Sequence, residues 1–282
     1  MKKPIINQMI FCLMLVVNLN IIIPTLVCHA KTQYEPGFCC QNCRYVYYAC
    51  YSLEPTGIMR YDTKTGKKKE IFSSKKDGND TNGFDHLTVS GKYIYCTWDV
   101  GAGTSALDAQ QYIYRISKDG KKSERLACGY APVIAGNRII YQQSKLVTNE
   151  MGMVYTVSTG KTYSMKLDGT GKRKVKAPNI KLASLYSDIQ NKSVNQTDPI
   201  KGYRFYKSEN GKKLYRINTK TGKTQTIISS DSSIDYFYVS NDYIVYGVIK
   251  PNKKKTVAGI SYYIVKTNGK KKKTLVAWKP VG

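Results

Sequence analysis

Histidine is nearly missing from this chain: 282 residues hold two, His29 and His86, alongside 2 tryptophans, 9 prolines and 19 acids. With His29 inside an N-terminal leader, His86 alone would remain for a histidine-based triad, and a histidine metal cluster is excluded. His86 stands in Asp85-His86-Leu87, just ahead of a strand pattern, where a partly buried structural histidine is the simpler reading. Past residue 30 no second long apolar run occurs, so nothing downstream of the leader reads as a membrane span. No long segment carries a capped helical stripe either, which removes helical architectures. What is plentiful is positive charge and tyrosine: 45 Lys+Arg, a formal charge of +26, 24 Tyr and 41% hydrophobic residues. That is too apolar for a disordered chain and too long for a cysteine-stapled miniprotein, and it suffices for one large all-β core.

Lys2 and Lys3 precede the apolar stretches Met9–Val17 and Ile21–Ile23, then Pro24 and Cys28-His29-Ala30, after which the chain turns polar. This is the layout of a secretory signal peptide over residues 1–30, cleaved after Ala30. An uncleaved anchor is the alternative, weakened by Asn18 and Asn20 within an already short segment. Lipid attachment at Cys28 is another, although Thr25-Leu26-Val27-Cys28 lacks the usual small residue before Cys and Leu three before it. The expected location is secreted or cell-surface associated, with N-terminal anchoring or lipidation as the alternative. The mature chain would keep 43 basic and 19 acidic groups.

One pattern recurs five times: an alternating apolar strand, a loop, a second strand and a Gly-Lys turn. The strands read Tyr45-Val46-Tyr47-Tyr48, Tyr93-Ile94-Tyr95-Cys96, Arg138-Ile139-Ile140-Tyr141, Tyr203-Arg204-Phe205-Tyr206 and Tyr243-Ile244-Val245-Tyr246, with spacings of 48, 45, 65 and 40 residues. The turns begin at Asp62, Lys118, Leu167, Asn218 and Thr267 and carry the Gly, Asn and Asp that tolerate positive φ. Further short strands flank the units, as in Leu87-Thr88-Val89 and Ser123-Glu124-Arg125-Leu126-Ala127. Four strands per unit of this length describe a propeller blade, which shares its core by stacking on neighbours. The expectation is an all-β β-propeller of about five four-stranded antiparallel blades over residues 44–282, preceded by a Cys-containing segment at 31–43. Six blades is the alternative count, because the repeat from 137 to 201 is long enough to hold another.

Gly91-Lys92-Tyr93-Ile94-Tyr95, Tyr112-Ile113-Tyr114-Arg115-Ile116, Lys166-Leu167-Asp168-Gly169-Thr170-Gly171 and Leu214-Tyr215-Arg216-Ile217-Asn218 resemble secreted bacterial β-propellers of unknown function, related to the YWTD propellers of low-density-lipoprotein receptors. The resemblance covers about residues 44–277 and implies a propeller in a surface or secreted setting. The Trp-Thr-Asp part of the receptor motif is missing, so receptor-type ligands are not carried over.

Catalysis, if present, falls to carboxylates, since glycan hydrolysis needs only two set about 5 to 9 Å apart. Asp85, Asp99, Asp108 and Glu150 lie near the longer loops and are the candidates, whereas Asp62, Asp119 and Asp168 have turn roles. Asp77-Gly78-Asn79-Asp80-Thr81-Asn82-Gly83-Phe84-Asp85 superficially resembles a calcium loop but misses its spacing, and a solvated connection accounts for the same letters. No metal and no cofactor is expected. Cys39, Cys40, Cys43, Cys50, Cys96 and Cys128 remain in the mature chain and read as disulfide candidates of undetermined pairing. A zinc site built from Cys39 or Cys40 with Cys43 and Cys50 is the alternative, lacking a second Cys-x-x-Cys pair. A bridge there would tie a first blade whose inner strand is unclear in the sequence.

In a four-stranded meander the third-to-fourth turn points the same way as the first-to-second. Those turns hold Lys67, Lys68, Lys69, Lys121, Lys122, Lys172, Arg173, Lys174, Lys223, Lys270, Lys271, Lys272 and Lys273, which predicts a basic crown on one face. Anionic wall polymers or a membrane surface would be its partners, through many weak contacts. Solubility and protection against strand pairing are the plainer use of such tips. Nucleic acid is not expected, because no motif with ordered base-stacking aromatics is visible. The opposite face would carry the variable loops Trp98–Gln111, Gln142–Gly160 and Lys250–Gly259, where a specific ligand would sit. Most tyrosines fall at strand positions and read as packing. The functional expectation is a secreted, non-enzymatic propeller binding a protein or glycan ligand at the cell surface; a carboxylate-dependent glycan-active enzyme is the alternative.

Overall fold

A computed structural model of the chain describes residues 38–49, 57–73, 81–100, 110–176 and 200–280. The described residues form antiparallel sheets and contain no helix. The first unit is the meander β1 (Cys39–Asn42), β2 (Tyr45–Ala49), β3 (Gly57–Asp62) and β4 (Lys68–Ser73). The second comprises β5 (Thr81–Ser90), β6 (Tyr93–Val100), β7 (Gln110–Ser117) and the first half of β8 (Ser123–Ala135). β8 pairs with β7 through Cys128 and with β9 (Arg138–Thr148) from Gly129 onward. It therefore ends one unit and opens the next, which continues through β10 (Val154–Lys166) to β11 (Arg173–Val175). The fourth unit shows three strands, β12 (Tyr203–Lys207), β13 (Lys213–Asn218) and β14 (Thr224–Ser229), and the fifth is β15 (Ile234–Ser240), β16 (Tyr243–Pro251), β17 (Ala258–Lys266) and β18 (Lys273–Pro280). The sheets number four because β8 fuses the second and third meanders into one of seven strands.

The alternating pattern has a direct structural result, since the central strands β2, β6 and β16 each serve two neighbours with their two faces. Val46 and Tyr48 of β2 pack with Tyr243, Val245 and Tyr262 of the fifth unit. Tyr47, one position away, joins Ile58 and Phe72 against Phe84, Leu87 and Trp98 of the second. Tyr95 turns from β6 toward Ile139, Tyr141 and Met165 of the third unit, while Ile94 and Trp98 face the first. Ile244 and Tyr246 meet Phe205, Leu214 and Ile228 of the fourth. The packing order is four, five, one, two, three: the first and last units of the chain are neighbours. Edge-to-face aromatics fill these seams, with Phe72 and Trp98 at 5.4 Å and Phe38 and Tyr238 at 5.0 Å.

The sheet takes in Cys39–Asn42, ahead of residue 44, where the repeat begins in the sequence reading; the first unit thus has an inner strand, which touches β5 and β15. Four expected loops are corrected. Gln142–Gly160 is mostly a long hairpin of β9 and β10 closed by the turn 149–153, because Val154, Tyr155 and Val157 keep period-two pairing with Thr148, Val147 and Lys145. Thr81–Asp85, read as part of a solvated connection, belongs to β5; Asp77–Asp80 of that segment lie outside the described residues. Of the Trp98–Gln111 loop, Trp98–Val100 and Gln110–Gln111 are strand, and only 252–257 of Lys250–Gly259 is turn.

Neighbouring units also interlock through their turns. Gly120 has φ +75, and a Cβ there would stand 1.7 Å from the Ile71 carbonyl oxygen of β4. Gly91 has φ +52 with nothing within 4 Å of that position. Gly120→Ala is expected to destabilise by about 2–4 kcal/mol, against about 1 kcal/mol for Gly91→Ala, in urea denaturation. Equal losses would show that the turn does not press on β4.

Candidate functional site

The first-to-second and third-to-fourth turns share one side of the molecule. Within units they are joined by backbone bonds: Thr63 N–H to Arg44 O at 3.0 Å, Lys118 to Lys92 at 3.0 Å, Thr219 to Gly202 at 2.9 Å and Thr267 to Asp242 at 2.9 Å. Between units, Lys118 Nζ donates to Asn42 Oδ1 at 3.1 Å, Arg115 to Leu167 O at 3.3 Å, Arg216 to Thr267 O at 3.1 Å and Lys201 to Asp242 at 2.6 Å. Asp62, Asp119, Asp168, Asn218 and Asn268 accept amides two residues on, shaping each turn. The Arg44 guanidinium beside Asp62 holds that carboxyl below the usual range, and turn bonds lower Asp119 and Asp168 in the same direction.

All thirteen basic candidates of the crown are exposed residues on these turns or the strands leaving them. Their side chains do not all point to solvent. Lys68 Nζ donates to Leu275 O at 2.8 Å, joining the first unit to the fifth, and Lys172 Nζ donates to Leu126 O at 2.7 Å, joining the third to the second. Lys272 Nζ stands 4.8 Å over the Tyr263 ring. Sequence reasoning missed these inter-unit roles, since a lysine that caps a neighbour's carbonyl is written with the same letter as a solvated one. Where the first and fifth units meet on this face, Gln41, Thr63, Asp242, Lys266 and Asn268 line an open polar cavity of about 290 Å³.

A second feature lies where the inner strands converge. β5 slips register between Asp85 and Thr88, and His86 sits there at φ 53, a left-handed conformation that marks local strain. His86 is buried, its Nδ1 is 3.4 Å from Asp85 Oδ2, and neither ring nitrogen has a hydrogen-bond partner. Asp99 of β6, paired in register with Gly83, is also buried. Burial first and the neighbouring Asp85 charge second push its carboxyl up to about 7, against a hydrogen bond with Gln111. Asp85 is itself raised, chiefly by burial. Tyr238, from β15 of the fifth unit, is raised by burial and then by Asp85, and its carbonyl accepts Cys39 Sγ at 3.9 Å. The fold thus brings Asp85 and Asp99 together. Glu150 lies apart from them, exposed in the turn of the β9–β10 hairpin, and Asp108 is outside the described residues. His86, expected as a partly buried structural histidine, is buried; the bulge beside it has no letter of its own.

Cys39, Cys40, Cys43, Cys96 and Cys128 form no disulfide with one another, and Cys50 lies outside the described residues. The expected clip is not seen among them: Cys39 and Cys40 are consecutive in a strand and face opposite seams. Burial pushes the Cys39 thiol up to about 12 and raises Cys40 and Cys96 as well, so these behave as small apolar side chains. Among the described residues no group of three or more His, Cys, Asp or Glu is placed to hold a metal ion, and no helix is long and apolar enough to cross a membrane.

No protein-family model matches the chain, and no curated protein does. Solved structures similar to it include the nidogen/laminin complex, at 13% identity over 83% of this chain and 76% of that one with a TM-score of 0.32. TolB from Acinetobacter baumannii follows at 14% identity, 88% and 54% coverage and a TM-score of 0.31. The apo AtxE2 isopeptidase stands at 8% identity, 89% and 52% coverage and a TM-score of 0.48. The chain spans about half the length of the last two. Likenesses this distant carry no argument about activity, and the architecture rests on the strand order and packing above.

A carboxyl raised on folding binds more protons folded than unfolded, so its contribution to stability is complete at low pH and is lost as pH rises. For Asp99 the window runs from about pH 4 to about pH 7. Asp99→Asn is expected to raise the melting temperature by roughly 5 °C at pH 8 and by much less at pH 4. A pH-independent difference in thermal denaturation would show that Asp99 is ionised at no cost.

Proposed function

We propose that the chain is a secreted, non-enzymatic β-propeller of five blades that binds a protein or glycan ligand at the cell surface, and that its turn face holds anionic wall polymers. The ring reading is supported by the seam between the first and last units. The polymer reading rests on one observation: lysines contributed by separate units emerge on one side, where turn contacts join the first unit to the second, the second to the third and the fourth to the fifth. A polymer with regularly spaced phosphates or carboxylates engages such an array many times weakly, and salt screens every contact.

The test is chromatography of the mature chain on anionic cell-wall material. Replacing Lys67, Lys69, Lys121, Lys223 and Lys270 by Gln together is expected to bring elution down to roughly half the salt concentration. Lys68 and Lys172 are left intact because they cap neighbouring strands. Unchanged retention removes the turn face as the binding surface.

The second reading, a glycan-active enzyme using two carboxylates, is favoured by the Asp85–Asp99 pair alone. A carboxyl raised to about 7 beside a second one suits proton donation to a leaving group. Asp99→Asn would lower turnover at least about 100-fold on any glycan the native chain cleaves. Full turnover by that variant places the chemistry elsewhere.

A further inference from the structure

The turns between second and third strands form the side of the molecule away from the crown. Among the described residues, the large hydrophobic side chains left exposed are Leu146 at 45%, Met151 at 74% and Val257 at 43%, and all three belong to this side. Two lie on one projecting element. β8 accompanies β9 only to the pair Gly129–Gln143, and β11 joins β10 only from Thr162, whereas β9 and β10 stay paired out to Thr148 and Val154. Residues 144–148 and 154–158 thus form a two-stranded arm about 16 Å long. Leu146, Val147, Met151, Val154 and Tyr155 of this arm enter none of the core clusters.

The backbone at the arm's end is closed on itself. Asn149 N–H bonds Met153 O and Gly152 N–H bonds Asn149 O, each at 3.0 Å, while Asn149 Oδ1 accepts the amides of Met151 at 3.0 Å and Met153 at 2.9 Å. Four of the five amides of the tip are thus bonded within it, which lowers the cost of its entering an apolar medium. On the same side, Lys145, Lys161, Lys212, Lys213, Lys253, Lys254 and Lys255 are exposed, against the acids Glu150, Glu209, Asp231 and Asp235.

From this combination we propose that this face docks on an anionic lipid bilayer. Met151 and Leu146 enter the boundary between headgroups and acyl chains, Val257 follows at the fifth unit, and the lysines sit on lipid phosphates. Apolar tips in a basic surround match an interface that is apolar within and negative at its rim. The proposal is independent of polymer binding by the crown, because it uses other residues on the other side.

The experiment uses the mature chain and vesicles of phosphatidylcholine with or without phosphatidylglycerol. Beyond the signal of the native Trp98 and Trp278, a tryptophan introduced as Met151→Trp is expected to be quenched by brominated acyl chains only when phosphatidylglycerol is present. One introduced on the crown side as Thr221→Trp is expected to stay unquenched. Leu146→Asp combined with Met151→Asp should weaken vesicle partitioning about tenfold while leaving the circular dichroism spectrum and polymer retention unchanged. Equal quenching at both positions, or none at Met151→Trp, overturns the proposal. So does a concentration-dependent dimer in sedimentation that Met151→Asp abolishes, which would assign the arm to a second copy of the chain.

Discussion

The structure depends on the seam where one sheet lies face to face on the next. A four-stranded meander has two flanks, and in this chain both are apolar: Val46 and Tyr48 on one side of β2, Tyr47 on the other. Neither flank tolerates water, so no unit is stable alone, and burying a side chain of this size contributes about 1.5–3 kcal/mol. Between the first and last units that demand is met by Tyr243, Val245 and Tyr262 against Val46 and Tyr48. Stability is therefore shared among seams and not held in one central core.

The same packing sets the chemistry of the surface. Because units are stacked in a common orientation, every third-to-fourth turn emerges on one side, and its lysines divide between two duties. Lys68 and Lys172 hold a neighbour's strand, while lysines such as Lys67, Lys121 and Lys223 project among shaped turns. At the convergence of the inner strands the constraint runs the other way: little water enters, and Asp85 and Asp99 are kept near each other at the expense of their ionised forms.

Much of this was legible in the letters. Period-two patterning at Tyr45–Tyr48 or Tyr243–Tyr246 declares strands with two buried faces, and the Asp/Asn-Gly-Lys turns declare the side on which they emerge. Asp85 and Asp99 were identifiable as acids near long connections, but their proximity was not, since it follows from the register of β5 on β6 and the bulge at His86. The β9–β10 arm was hidden because Ser, Thr, Gln and Gly dilute its apolar residues, so cross-strand pairing, and not composition, defines it. The placement of the described cysteines was hidden for a related reason. Spacing and compartment pointed to bridges, whereas β1 places adjacent Cys39 and Cys40 in different seams.

β8 bears on how the assembly yields under load. The fourth and fifth units are joined by residues 230–233, which lie outside any strand. Between the second and third, however, a single strand is hydrogen-bonded into both, bent at Ala131 with its amide held by the Thr97 hydroxyl. Relative rotation there would have to break ladder bonds and not merely slide side chains. That joint is a weld, whereas the seam between the first and fifth units holds by packed side chains and single hydrogen bonds.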